Sequence, residues 1–281
     1  MQLVVYLIGA VIIILVRIIL GGASLYNLTL DEIIFYSNSA IVWLIPAIIV
    51  HSFDRRSRWY LFGINLDIYA IRDILHGALF AFISVIFIVC IAFIWGADFS
   101  ISEINISKIF ESSFYILNFA IVEELVFRGF IFQYFLYKSK NPIFVVIISS
   151  VLFSAAHYFN SGADILVYIN TFFAGILFSL MYLKTHSMWI QTSFHFIWNW
   201  ATIVLFTKSY FYESLISKDI VFTVFFKKEH EYWRDFLFGS TYSFESGILC
   251  TFVLILISYF VLKYIKPSYN INADIFKYEY K

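Results

Sequence analysis

The sequence predicts an all-α fold: a polytopic membrane helix bundle of about eight transmembrane helices around a buried polar cavity. Three observations predict it. The first is composition: 62% of the 281 residues are hydrophobic and only 14% are charged, with a mean hydropathy of +0.84. A soluble domain carries about a quarter of its residues as charges. So much apolar surface exceeds what one soluble core hides, and lipid is the solvent that accepts it. The second is the recurrence of apolar stretches near the ~20 residues that a bilayer-crossing helix needs. The third is that several of these stretches carry ionisable residues, which in a bilayer must turn inward to a shared cavity.

The elements follow in chain order. Predicted spans lie near 3–20, 33–51, 77–97, 114–137, 143–160, 165–183, 188–206 and 247–265. Gly21-Gly22, Asn141-Pro142, Ser161-Gly162 and the run Lys184-Thr185-His186-Ser187 separate neighbouring spans, as turn-forming and polar residues do. The first span has no basic residue before its long apolar run, so it reads as a retained helix rather than a cleaved signal. The segment 207–246 mixes charges with Tyr210, Phe211, Tyr212 and Trp233, which suits an interfacial flap. The chain thus reads as one membrane domain, 1–281, with no soluble domain. Its parts are N-terminal helices in 1–97, a core at about 114–206, an outer loop 207–246, a last helix 247–265 and a tail.

Short loops set orientation through Lys and Arg. Arg55, Arg56, Arg58 and Arg72, then Lys138 and Lys140, Lys184, and finally Lys263, Lys266, Lys277 and Lys281 fall on alternate sides from Asp31, Glu32, Asp98, Glu103, Glu111 and Asp164; only Lys108 departs. Both termini are therefore expected in the cytoplasm, in a prokaryotic plasma membrane. The net charge of +0 gives no sign of nucleic acid as a partner. Cys90 and Cys250 lie in apolar runs, with neither a disulfide framework nor metal-type spacing.

Three polar clusters interrupt the apolar spans. In the fourth, Glu123-Glu124-Leu125-Val126-Phe127-Arg128 places Glu124 and Arg128 four residues apart, on one helix face, where they can pair. Glu123 points about 100° away, is less easily neutralised by Arg128, and suits a general base. In the fifth, Phe153-Ser154-Ala155-Ala156-His157 puts an imidazole near a helix end. In the seventh, His195 and Asn199 share a face at the same four-residue spacing and can donate into one cavity. Each cluster alone has a structural reading as an ion pair or as polar glue between helices. Together they supply a base, an imidazole and donors for an oxyanion. Whether His157 activates a water or ligates a metal is left open by these residues alone.

The same residues resemble the CPBP family, named for CAAX proteases and bacteriocin-processing enzymes, which includes the Rce1-type prenyl-protein endopeptidases. The family pattern of EExxxR, FxxxH and HxxxN, each on its own transmembrane helix, is matched in order by Glu123-Glu124…Arg128, Phe153…His157 and His195…Asn199. The flanks Phe127-Arg128-Gly129, Ala174-Gly175-Ile176-Leu177, Tyr182-Leu183-Lys184-Thr185 and Ser187-Met188-Trp189 are similar too, so the resemblance spans roughly 114–200. One departure is His186, where a glycine is expected before the serine. The resemblance implies a glutamic-type intramembrane protease. Glu123 and His157 would activate water, His195 and Asn199 would stabilise the oxyanion, and Glu124 and Arg128 would orient the site.

Other protease signatures are absent: His230-Glu231-Tyr232-Trp233-Arg234 is not HExxH, and there is no GxGD. Two alternatives stay in view. A scaffold or immunity-type protein could use the same fold, and His157, His195 and Glu123 could form a zinc-type set. The expected partners are a peptide or membrane-protein substrate and the lipid bilayer, with no cofactor and no metal. The chain ends in Tyr278-Glu279-Tyr280-Lys281, which is no CaaX box, so it is not expected to be such a substrate itself. Helix depth places the reactive groups in the middle to outer half of the membrane, with a cavity expected to open outward or laterally.

Overall fold

The structure, a computed structural model, describes residues 63–265 other than 65–67, 102–103, 140, 159, 161, 209–220, 227–231 and 241. The predicted spans near 3–20 and 33–51, and the tail, lie outside the described residues.

The first described helix, α1 (Ile68–Ile94), begins nine residues before the predicted 77. Arg72 and Asp73 read as loop residues in the sequence, yet both fit inside the helix. Asp73 is buried and the Arg72 guanidinium pairs with it at 3.0 Å, which removes the obstacle that an uncompensated charge would raise. One face of α1 is small (Ala70, Gly77, Ala81, Ser84) and buried; the other presents Ile71, Leu75, Leu79, Phe82 and Ile83 outward. The small face packs on α6 (Trp189–Trp200). A Cβ at Gly77 would stand 2.1 Å from the Ile190 carbonyl oxygen, so only glycine permits this approach. Small-residue faces are how helices pack where lipid supplies no hydrophobic drive.

A continuous helical stretch follows: α2 (Ile106–Glu124), a π-helical segment Leu125–Phe132, then α3 (Gln133–Ser139). It covers the predicted span 114–137 and extends it on the N-terminal side. In α4 (Pro142–Ala155) the Asn141 side chain accepts from the Ile143 and Phe144 amides and Pro142 takes the first turn, the expected start signals. This helix stops at Ala155, short of the predicted 160, and His157 sits in the turn beyond it. The Asp164 side chain caps α5 (Ile165–Thr185) by accepting from Val167. At its far end His186 adopts φ 50°, ψ 33°. That left-handed position is where helices usually end on glycine, which accounts for the residue type the sequence comparison expects there. Burial holds the His186 imidazole down at about 4. Helix α6 continues into a second π segment, Ala201–Leu205, and the last described helix is α8 (Ile248–Tyr264).

Two helices, α1 and α5, are long and apolar enough to cross a bilayer; α4 and α8 are shorter apolar helices. The expectation of about eight crossings is thus matched among the described residues only by a mostly helical architecture with these two candidates. Phe82 on α1, Ile143 on α4 and Phe252 and Tyr259 on α8 are exposed large hydrophobic side chains.

The all-α expectation is corrected in one respect. Three strands, β1 (Ala97–Ile101), β2 (Phe206–Lys208) and β3 (Phe222–Phe226), form a sheet in the order β1-β3-β2. β1 and β3 run antiparallel, with Ala97 opposite Phe226 and Ile101 opposite Phe222; β2 joins β3 in parallel. Gly96 at φ 90° turns the chain out of α1 into β1, and Phe222-Thr223-Val224-Phe225-Phe226 is a run of β-forming residue types. The predicted outer loop 207–246 therefore carries structure: the end of β2, β3, α7 (Tyr232–Phe238) and a single 3₁₀ turn, Phe244–Ser246. The 3₁₀ turn packs on α5, α7 and α8.

Candidate active site

The site begins with the helix that carries both glutamates. Glu124 and Arg128 are fully buried, and the Arg128 Nη1 donates to Glu124 Oε1 at 3.0 Å. The pair expected from the four-residue spacing therefore forms, even though the π segment starts at Leu125. π segments recur at functional sites because they re-aim side chains within a helix. Here one lies directly after the glutamates and another directly after the His195–Asn199 turn.

Arg128 is held through both terminal nitrogens and by two aromatic rings. Its Nη2 donates to the Gly175 carbonyl on α5 at 3.2 Å. The guanidinium lies 4.4 Å from the Phe153 ring centre and 5.0 Å from that of Phe178. Such stacking favours a cation shielded from water. Gly175 itself lets α5 touch α4, since a Cβ there would stand 2.8 Å from Ser150 Cα. The fourth and fifth predicted spans are thus locked to the sixth through one guanidinium.

Helix α6 closes the cluster. The His195 Nδ1 lies 3.0 Å from the same Glu124 oxygen that Arg128 contacts, and its Nε2 lies 3.9 Å from Glu123 Oε2. One imidazole therefore bridges two adjacent glutamates that point in different directions from α2. Glu124 is sealed from solvent, whereas the Glu123 side chain keeps 13% of its surface exposed. That difference separates an orienting carboxylate from one that a water can reach. Asn199, one turn beyond His195, is half-buried, and its side-chain amide has no partner among the described residues.

His157 approaches from α4. Its Nδ1 lies 2.8 Å from the Phe153 carbonyl oxygen. A carbonyl only accepts, so Nδ1 carries the hydrogen and Nε2 of the neutral ring keeps its lone pair. The Phe153 ring touches both imidazoles, with centres 4.9 Å from His157 and 6.1 Å from His195. The phenylalanine of the second motif is thus the shared packing partner of Arg128, His157 and His195. Among the described residues, no three His, Cys, Asp or Glu side chains are arranged as a set that could hold a metal ion.

Two features of the site were not singled out from the sequence. Glu245, on the 3₁₀ turn, accepts from Trp198 Nε1 at 2.7 Å and interacts electrostatically with His195 and Glu123. Asn170 on α5 anchors that turn, donating to the Glu245 and Gly247 carbonyls at 2.7 and 2.9 Å and accepting from the Thr251 hydroxyl. The available signal was a glutamate two residues before an apolar span, in Ser243-Phe244-Glu245-Ser246-Gly247.

Buried carboxylates, a guanidinium and imidazoles inside an apolar helical assembly define an internal polar site. Residues 105–201 match the Rce1-like family model, described as type II CAAX prenyl endopeptidase Rce1-like. That segment, roughly a third of the chain, is similar to the Rce1-like family; it holds all three motifs and bears out the resemblance to the CPBP family. The family is one of membrane proteases. No match is found among curated proteins or solved structures.

Proposed function

We propose that this protein is an intramembrane endopeptidase that cleaves a peptide bond with water activated by Glu123 and His157. The observation that carries the reading is the position of His195, with one nitrogen against the sealed Glu124 and the other toward the accessible Glu123. Glu123 takes a proton from water, helped by His157, and the resulting nucleophile attacks the scissile carbonyl carbon. Charge then develops on the carbonyl oxygen, where the Asn199 amide donates, joined by His195 Nε2 when the ring between the two glutamates is doubly protonated. Glu124 and Arg128 touch no substrate; they hold His195 and the helix turn of Glu123 in place. Every group serves without a metal, and the proposed reaction uses none.

A direct test uses purified protein in lipid nanodiscs and an internally quenched peptide ending in a farnesylated CaaX sequence, the substrate type that the family description names. Cleavage at one bond is expected, unchanged by prior chelator treatment. Loss of activity on chelation, restored by zinc, would convert the histidines to ligands and overturn the metal-free mechanism. Comparative proteomics of cells carrying the native protein or Glu123→Ala extends the test to unprenylated substrates. Identical peptide profiles, together with an uncut probe, would favour a scaffold role.

Asn199→Ala should lower kcat by about 10²–10³, the usual loss for one oxyanion donor, with little change in KM. An effect on KM alone would mean that Asn199 binds the ground state and not the developing charge.

A further inference from the structure

Glu245 lies outside the family-matched segment, yet it stands at the same site. Its placement is heavily determined. The 3₁₀ turn that carries it is fixed by Ser243 Oγ accepting from the Glu245 amide at 3.1 Å and by Asn170 donating to the Glu245 carbonyl. Ser243 is held at φ 153°, ψ −165°, a region that side chains other than glycine rarely occupy and that surrounding structure must enforce. Gly239 packs so closely beneath that a Cβ there would stand 1.8 Å from the Ser243 carbonyl oxygen. The surroundings thus hold one carboxylate against Trp198, one turn from His195 on α6.

The chemistry of that carboxylate differs from that of Glu123. Its Oε1 accepts from Trp198 and its Oε2 makes no hydrogen bond among the described residues. Glu124 and Glu123 have Arg128 within reach of their charge, whereas the groups in electrostatic reach of Glu245 are His195 on α6, Glu123 on α2 and Cys250 on α8. Burial pushes its carboxyl up and the negative Glu123 adds to that, against the Trp198 hydrogen bond and His195. Two neighbouring carboxyl groups in unlike surroundings divide into one acid and one base.

We propose that Glu245 is the proton donor to the leaving group in the endopeptidase reaction, an inference that rests on the function proposed above. Water adds to the scissile carbonyl carbon as Glu123 takes one of its protons, and the carbonyl π pair moves onto oxygen. On collapse the C–O double bond re-forms, the C–N bond breaks with its electron pair going to nitrogen, and that nitrogen takes the proton of the Glu245 carboxyl. Glu123 is left protonated and Glu245 ionised. Transfer of that proton from Glu123 to Glu245 across the water-accessible site restores both. The sum is peptide plus water giving carboxylic acid plus amine.

The test is Glu245→Gln, in which the side-chain oxygen still accepts from Trp198 and the turn is kept. On the farnesylated peptide, kcat should fall about 10²-fold or more, the low end for a general acid. On a depsipeptide of the same sequence with an ester at the scissile position, the fall should be under about tenfold, because an alcohol departs with less protonation. Equal losses on amide and ester would assign Glu245 a structural role and overturn the proposal. A second readout needs no activity: at about pH 6, where an ordinary carboxyl is ionised, the infrared spectrum of the native protein should contain a protonated-carboxyl stretch that Glu245→Gln removes. Absence of that difference also overturns the proposal. If native protein cleaves neither probe, the function reading fails, and the infrared result still decides the state of Glu245.

Discussion

Glu123→Ala is expected to lower peptide hydrolysis by about 10²–10⁴-fold, the span for a positioned acid–base group, while the protein accumulates in the membrane as before. Its contact with His195 is a loose 3.9 Å, and the side chain is partly accessible. Its removal therefore leaves no sealed charge without a partner. His157→Ala should match it in size, because both groups act on the same water. For the same reason the double variant should lose little more than either single one, as residues that act as a unit are not additive. The measurement is kcat on the quenched peptide in nanodiscs, with membrane content scored by immunoblot. Normal turnover by Glu123→Ala would refute the general-base role. Additive losses would show that Glu123 and His157 act in different steps.

Glu124→Ala and Arg128→Ala should act on the fold instead. Both side chains are fully buried, Glu124 takes contacts from two cationic or donor groups, and Arg128 ties α2 to the backbone of α5. Removing one member strands the other, at a cost of about 3–5 kcal/mol. The expected result is a sharply lower melting temperature in detergent and depleted protein in membranes. Arg128→Lys should rescue poorly, because an ammonium lacks the planar fork that reaches Glu124 and Gly175 together and stacks on Phe153 and Phe178. Wild-type melting of Arg128→Ala would show that the buried pair adds nothing to the fold. An active, stable Arg128→Lys would show that charge alone suffices at that position.

Much of the site was legible in the chain because its parts obey local rules. The four-residue spacing of Glu124 and Arg128 put them on one face, and they pair at 3.0 Å. The spacing of His195 and Asn199 likewise holds through α6. Ionisable residues amid apolar ones drew attention to the helices that carry Glu124, Arg128 and His195, since burying such groups calls for a partner or a function. Helix ends were less legible. α1 starts early because Arg72 and Asp73 neutralise each other, and α4 stops early, leaving His157 in a turn where its ring bonds back to Phe153. The sheet was missed because β1 and β3 are five-residue pieces separated by more than a hundred positions, and pairing at such range leaves no local period to read.

By itself the sequence carried a mostly helical, apolar chain, a segment similar to the Rce1-like family, and the pairing of Glu124 with Arg128. Helical spacing and the cost of charge in lipid act within one segment, so the order of residues carries them. The tertiary structure alone decided that His195 bridges two glutamates from another helix, that a backbone carbonyl at Gly175 accepts from Arg128, and that Glu245 joins the site from beyond the matched segment. Each is a contact between segments distant in the chain, set by glycine-permitted helix approach and by the fold of the connection before α8. No local periodicity encodes such contacts.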